Sequence, residues 1–529
     1  MPAPTSKIIV IGIDAANPVL IRRWAEEGLL PNLRSLMARG LVGATRSVEG
    51  FFIGSTWPSF YTGLTPARHG FHYFIQLKPG TYNLYRPADE GIVPRDPFWT
   101  HLSRAGRRVA ILDVPLTRID PSINGIQVVE WGGHDSVYGF QASSPALLQT
   151  IKSRCGEYPL GASCDREHRT AADYQAFTEV LLKGTRLKAD LTKHFLSHGD
   201  WDFFMQVFTE AHCAGHQCWH LHDDTHPAHD RSIVWVTGDP LLKVYAAIDS
   251  AIGELLDSAG DTLVMVVAAH GMSYWYGAQF LLEDILFRLG VARPPARGLA
   301  REGLSSAMTG ARWVWRRLPP PIKRLLQPLR RRLLQETTPA GRLPAINADL
   351  RTSYCFPVRN GLAISGIRLN LSGREPSGIL EPSQADEFCK NLSTDLLSIV
   401  DERTETPLVR RVLRTADLYH GERLDHLPDL LIEWNDEVPT GSTTVGTGNA
   451  ATVRARSPKI GLIEGVNHYG RTGEHRPEGL FIAAGPGVRP GMLEREISIL
   501  DFAPTFGRLL GVELPDCDGR PVNELLRNS

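Results

Sequence analysis

The side chains best equipped for chemistry are crowded into a few short stretches of this sequence. "FTEAHCAGHQCWHLHDDTHPAHD" holds His212, His216, His220, His222, His226 and His229, six of the 18 histidines in the chain. His212 and His216 are four apart, so on a helix they share one face and can grip one ion. No Glu follows His212, which separates the pattern from the HExxH helix of zinc peptidases. Asp14 ends the run "KIIVIGID", and His270 ends "TLVMVVAAHG". A polar group at the end of a buried strand is costly unless it is paired or used, and carboxylate and imidazole are common ligands of divalent cations. "VNHYGRTGEHRPEG" adds His468 and His475 ahead of the last apolar run. Gathered at one sheet edge, these residues could surround a metal pair.

Thr56 lies in "FIGSTWPSFYTGLTPARHG", and the stretch supports two readings. In one, Thr56 is the N-cap of a helix whose first turn carries Pro58. In the other, it is a nucleophile. A threonine hydroxyl attacks poorly at neutral pH, but a divalent ion stabilises its alkoxide and a second ion can clamp the transferred group. Backbone N–H groups at the helix start would also favour an anionic phosphoryl group.

These residues need a scaffold that brings distant strand ends together. "KIIVIGID", "RVAILDVP" and "TLVMVVAAHG" are apolar runs stopped by polar residues, the pattern of strands buried on both faces. "NPVLIRRWAEEGLLPNLRSLMARG" and "DPLLKVYAAIDSAIGELLDSAG" have helical spacing. Strands alternating with helices predict an α/β fold: a mostly parallel central sheet with helices on both faces. Ligands of such sheets gather at the carboxyl ends of the strands, where Asp14 and His270 fall. Further strands are expected in "GLAISGIRLNLSG", "PDLLIEW" and "EGLFIAAGPGV", and a C-terminal helix in "SILDFAPTFGRLLG". The core is thus expected to combine residues 1–290 with 345–529. Between them, 291–344 is rich in Arg, Trp and Pro, as in "ARWVWRRLPPPIKRLLQPLRRRLL". It reads either as a cap with solvated arginines or as a basic face for anionic substrates or lipid head groups.

Bulk composition narrows the class. The chain has 529 residues, 42% hydrophobic and 22% charged, with a net charge of −1. That describes a globular protein with no general pull toward nucleic-acid polymers or acidic membranes. Seven cysteines without a CxxC pair suit a reducing compartment. The opening lacks the longer apolar stretch of a signal peptide, and no segment has the length of a transmembrane span. A cytoplasmic location is expected.

In their order along the chain, these motifs resemble the alkaline phosphatase superfamily, and within it the type I phosphodiesterase/nucleotide pyrophosphatase branch. "VIGIDAA", "STWPSFYTGLTPARHG", "VYAAIDSAIGELL…VVAAHGM", "LNLSGREPSG", "HRPEGLFIAAGPGV" and "DFAPTFGRLLGVELPDCDGRPV" carry the resemblance. It implies an alkaline-phosphatase-like core and hydrolysis of phosphodiester or pyrophosphate bonds through a covalent phospho-threonine at Thr56. It implies Thr56 as a metal-bound nucleophile, with Asp14 and His270 as the other ligands of the ion that activates it, and His216 and His475 as ligands of the second ion, with His468 as the alternative to His475. The implied cofactor is one or two divalent ions, zinc first and manganese as an alternative; the implied substrate is a small phosphate ester or related anion.

This sequence departs from the family pattern at two positions. Ala269 stands where an Asp usually precedes the strand-end His, and His212 stands where an Asp usually lies four residues before the helix His. His212 can still ligate, and Glu210 is close in sequence, but Ala269 cannot. Fewer anionic ligands should weaken metal affinity or change metal preference. Altered group transfer on sulfate, phosphonate or related esters, and a non-catalytic binding role, are the alternatives this departure raises.

Overall fold

The computed structural model describes residues 7–526, apart from 92, 134–135, 162, 166–169, 227, 275–277, 296–342, 344, 436–450 and 468–470. Most of the basic 291–344 stretch and His468 therefore lie outside the described residues.

The β-branched run "IIVIGI" forms β1 (Ile8–Ile13), buried along its whole length. The central sheet continues with β2 (Leu41–Arg46), β3 (Val109–Leu112), β4 (Gly125–Val129), β5 (Gln141–Ala142), β6 (Phe203–Phe208) and β7 (Leu263–Ala268). A two-stranded ladder beside it pairs β8 (Gly271–Tyr274) with β9 (Gly473–Arg476), and the sheet regains β10 (Glu478–Ala484) and β11 (Gly491–Ser498). The nine strands lie in the order β11-β2-β10-β7-β1-β6-β3-β4-β5. β1 pairs in parallel with β6 and β7, whereas β10 runs antiparallel to both β7 and β2. The sheet is mostly parallel, with the expected helices on both faces.

Strand alternation divides the core into two layers. Ile9, Ile11 and Ile13 face a cluster containing Leu181, Ala211, Val244 and Ile248, while Ile8 and Val10 face one containing Trp57, Phe60, Phe502 and Phe506. The stretch after β1 forms two helices rather than one, α1 (Pro18–Glu26) and α2 (Pro31–Arg39). Gly28 adopts φ 79° between them, and Pro31, which lacks an N–H, opens the second. The further helices used below are α3 (Thr56–Thr62), α4 (Ala171–Ser197), α5 (Glu210–His222), α6 (Pro240–Leu256) and α7 (Phe502–Leu509), of which α3 and α5 carry candidate site residues.

Residues 355–434 build a separate four-stranded antiparallel sheet with its own apolar cluster, including Leu392, Leu396 and Ile432. Among the described residues, no helix is long and apolar enough to cross a membrane.

Candidate metal centre and nucleophile

Four pieces of backbone converge at the carboxyl end of the central strands. β1 delivers Asp14, whose N–H donates to the Phe208 carbonyl at the end of β6 (2.9 Å). β7 delivers Ala269 and His270, and α5 carries His212 and His216 on one face. The β8–β9 ladder sets Met272 opposite His475, which brings the His475 ring onto His270 in a stack with centroids 4.7 Å apart.

The donor atoms of His212, His216 and His475 all lie within 4.8 Å of one another, and all three residues are buried. His212 Nε2 is 3.0 Å from His475 Nε2. Two nitrogens on one tetrahedral zinc would sit about 3.3 Å apart, so the pair fits a shared ion. His216 donates from Nδ1 to the Gly473 carbonyl (2.7 Å), which leaves Nε2 with the lone pair a metal requires. Asp14 Oδ2 stands 3.3 Å from His212 Nδ1, and Asp14 Oδ1 stands 3.9 Å from His270 Nε2. Such a carboxylate behind an imidazole orients the ring's other nitrogen. The residues present thus fit one divalent ion on three imidazoles, with Asp14 and His270 beside it.

Charge balance in this buried corner follows from its neighbours. Burial alone would raise the Asp14 carboxyl, but His212, His270 and the Trp57 indole together hold it well below the usual carboxylate range. Burial lowers His270 to about 4, against the pull of Asp14. Burial pushes Glu474 up, with Arg471 opposing.

Thr56 is the first residue of α3, not its cap; Ser55 holds the cap position and makes no side-chain cap bond. The Thr56 hydroxyl instead donates back to the Phe52 carbonyl (2.7 Å) and lies 2.6 Å from Ser47 Oγ. Trp57 ties the helix to the ion site by donating its indole N–H to Asp14 Oδ1 (2.8 Å). The closing "ARHG" is structural. His69 bonds Ser59 Oγ through Nε2 (2.9 Å) and accepts from Phe71 N (3.1 Å), and Gly70 caps its short helix at φ 78°.

Other side chains point elsewhere. Glu210 is two residues from His212, about 200° around a helix, and faces away from the imidazoles. It accepts from Tyr158 OH (2.5 Å) and lies 3.5 Å from Lys188 Nζ, both fully inside the core. His220, His222, His226 and His229 are held by Tyr174 and Thr472, by Asp239, by Ala228 N and by the His220 carbonyl, respectively. "LNLSGREPSG" is structural: its Glu375 pairs with Arg368 just before the run, and its Arg374 with the distant Asp429.

Ser47, Trp57, Arg471 and Glu474 border the site without having been singled out by residue type. The last two sit beside His475 in sequence, and that adjacency was the available signal. A cavity of about 360 Å³ opens beside Arg46, Glu49 and Phe52, where Arg411 and Arg476 share the wall with Glu433 and Glu478; Thr56 and the imidazoles do not line it.

A mostly parallel sheet with Asp and His at its strand ends, and a helix beginning at Thr56 that is tied to Asp14 through Trp57, is an alkaline-phosphatase-like α/β fold. The family model of type I phosphodiesterase/nucleotide pyrophosphatase matches residues 8–438, and the chain belongs to that family. Phosphonoacetate hydrolase from Sinorhizobium meliloti 1021, solved with phosphonoformate, shares the fold at 13% identity and TM-score 0.51, with 96% of each chain covered. Murine ectonucleotide pyrophosphatase/phosphodiesterase 5, solved with AMP, aligns at 11% identity and TM-score 0.46 over 97% of each chain. No curated protein matches the sequence.

Proposed function

We propose that this member of a phosphodiesterase and pyrophosphatase family hydrolyses a small phosphodiester or pyrophosphate through a covalent phospho-threonine at Thr56, with a divalent ion held by His212, His216 and His475. The observation that carries this reading is the convergence of those three imidazoles with Asp14 and His270, joined to the Thr56 helix through Trp57. Three neutral imidazoles suit zinc best; manganese is the alternative.

A bound ion would supply Lewis-acid stabilisation of the charge that develops on the transferred group. The chain's own residues supply the rest. Thr56 Oγ1 attacks phosphorus, the bond from phosphorus to the leaving oxygen breaks, and the leaving oxygen gains a proton from solvent. The Thr56 proton, held on the Phe52 carbonyl, is released to solvent. Water then attacks the phospho-threonine and frees Thr56. Ser47 Oγ positions the hydroxyl. His270 is kept neutral by burial, so its lone pair remains available to a cation.

Metal analysis combined with a phosphoester panel tests the reading. Thr56→Ala should lose turnover by several orders of magnitude while keeping its metal; undiminished activity in the metal-replete variant would refute it. Ala269, where a carboxylate ligand would strengthen a second ion site, favours one further reading: transfer of a phosphonate, sulfate or related group. A clear preference for phosphodiesters over those esters in the same panel would reject it.

A further inference from the structure

Arg471 occupies an unexpected place. Its guanidinium is only 8% exposed and donates from Nη1 to His216 Nε2 at 2.9 Å. His216 Nδ1 already donates to the Gly473 carbonyl, so Nε2 is the lone-pair nitrogen, and a guanidinium has only donors to offer it. An ion on His216 would need that same lone pair. One nitrogen cannot serve both, so guanidinium and ion exclude each other at this position.

The surroundings offer the displaced guanidinium a second seat. Glu474 is 1% exposed; its Oε1 accepts from the His475 N–H, while its Oε2 has no hydrogen-bond partner among the described residues. A buried acceptor left unsatisfied is costly. Arg471 Nη1 stands 3.9 Å from that oxygen, so a shift of about 1 Å would make a charge-assisted hydrogen bond. On its outer side, Arg471 is held by Asp165 through Nε (2.8 Å) and Nη2 (3.0 Å). The Asp165 side chain is 40% exposed and can follow such a movement.

We propose that Arg471 is a guanidinium latch that competes with the divalent ion for His216 Nε2, and that Glu474 receives the latch when the ion binds. The inference rests on the reading above in placing the ion on His212, His216 and His475. Arg471 then sets metal affinity: the centre fills only when the ion outcompetes an internal cation. This also gives Glu474 a task other than ligation.

The test is zinc affinity of the full chain, measured by competition with a chelator for Arg471→Met, Glu474→Gln, His216→Ala and their pairwise combinations with Arg471→Met. Arg471→Met should tighten zinc binding by about 10- to 100-fold, the worth of a hydrogen bond to a charged group. Glu474→Gln should weaken binding in the parent chain and have little effect in the Arg471→Met background. Unchanged or weaker binding by Arg471→Met would overturn the proposal. So would the same tightening in a His216→Ala background, which would mark simple charge repulsion. Thermal melting of each zinc-free variant controls for folding. If Arg471→Met does not fold, Arg471→Lys, which cannot hold Asp165 with two donors and reach His216 as well, should tighten binding in the same direction. Zinc bound by the parent without these shifts removes the latch alone; zinc bound by no variant removes the metal centre as well.

Discussion

Placing a carboxylate at position 269 is the sharpest probe of the site's charge. Ala269 is fully buried, and strand alternation puts it with Met265 and Val267 in the core layer that holds Trp57, the side on which Asp14 accepts the indole N–H. In Ala269→Asp, a second carboxylate would share this corner with Asp14, without a cation to offset it in the metal-free chain. An uncompensated buried charge costs about 3–5 kcal/mol. An ion that binds only the folded chain recovers about 2.7 kcal/mol at 100 times its dissociation constant and about 4.1 kcal/mol at 1,000 times. The variant should therefore unfold at much lower urea than the parent in chelator, and regain most of the difference with excess zinc. Ion counting should show one more zinc per chain than in the parent. Urea unfolding indifferent to zinc, or an unchanged ion count, would refute the idea that this position lacks only a ligand.

Two further outcomes follow from buried groups outside the site. Burial lowers His69 and His72 to about 3, against an ordinary value of 6.5. Between those values the unfolded chain holds more protons, so stability rises with pH across that window and is lost on acidification. Each group contributes up to about 1.4 kcal/mol per pH unit; His72→Gln should remove one proton from the slope of unfolding free energy against pH, and an unchanged slope would contradict this. Lys188 and Glu210 face each other at 3.5 Å with no exposure. Lys188→Met alone should cost about 3–5 kcal/mol in urea unfolding, because it strands Glu210, whereas Lys188→Met with Glu210→Gln should cost less; equal costs would refute the pairing.

What could be read from the sequence follows the range of the interactions involved. β1, β3 and β7 were legible because both faces are buried and the runs are uninterrupted aliphatic. His212 and His216 were legible because helical periodicity alone places them together. Glu210 misleads for the same reason in reverse: it is near His212 along the chain but on the opposite helix face. The Ser47–Thr56 contact and the Trp57–Asp14 bond depend on how β2, α3 and β1 stack, which no local pattern encodes. The run "LNLSGREPSG" offers Arg374 and Glu375 as candidate site residues, yet Arg374 is taken by Asp429 and Glu375 by Arg368, both outside the run. Local spacing cannot distinguish a site from a self-satisfied ion-pair knot.

Asp14 shows how a centre built mainly of imidazoles can still favour a cation. With His at position 212, the Asp14 charge faces an imidazole Nδ1 rather than standing alone, so it can act through that ring as well as directly. A partner acting through a ligand raises its basicity and fixes its orientation, and losing such a partner costs about 10- to 100-fold in metal affinity. Asp14→Asn keeps the shape and the acceptor for the Trp57 indole, and should therefore weaken zinc by that amount without abolishing it. The first ion then belongs to the three imidazoles, and Asp14 serves as its electrostatic support. Complete loss of zinc in Asp14→Asn, in a chain that still folds, would instead make Asp14 an indispensable direct ligand.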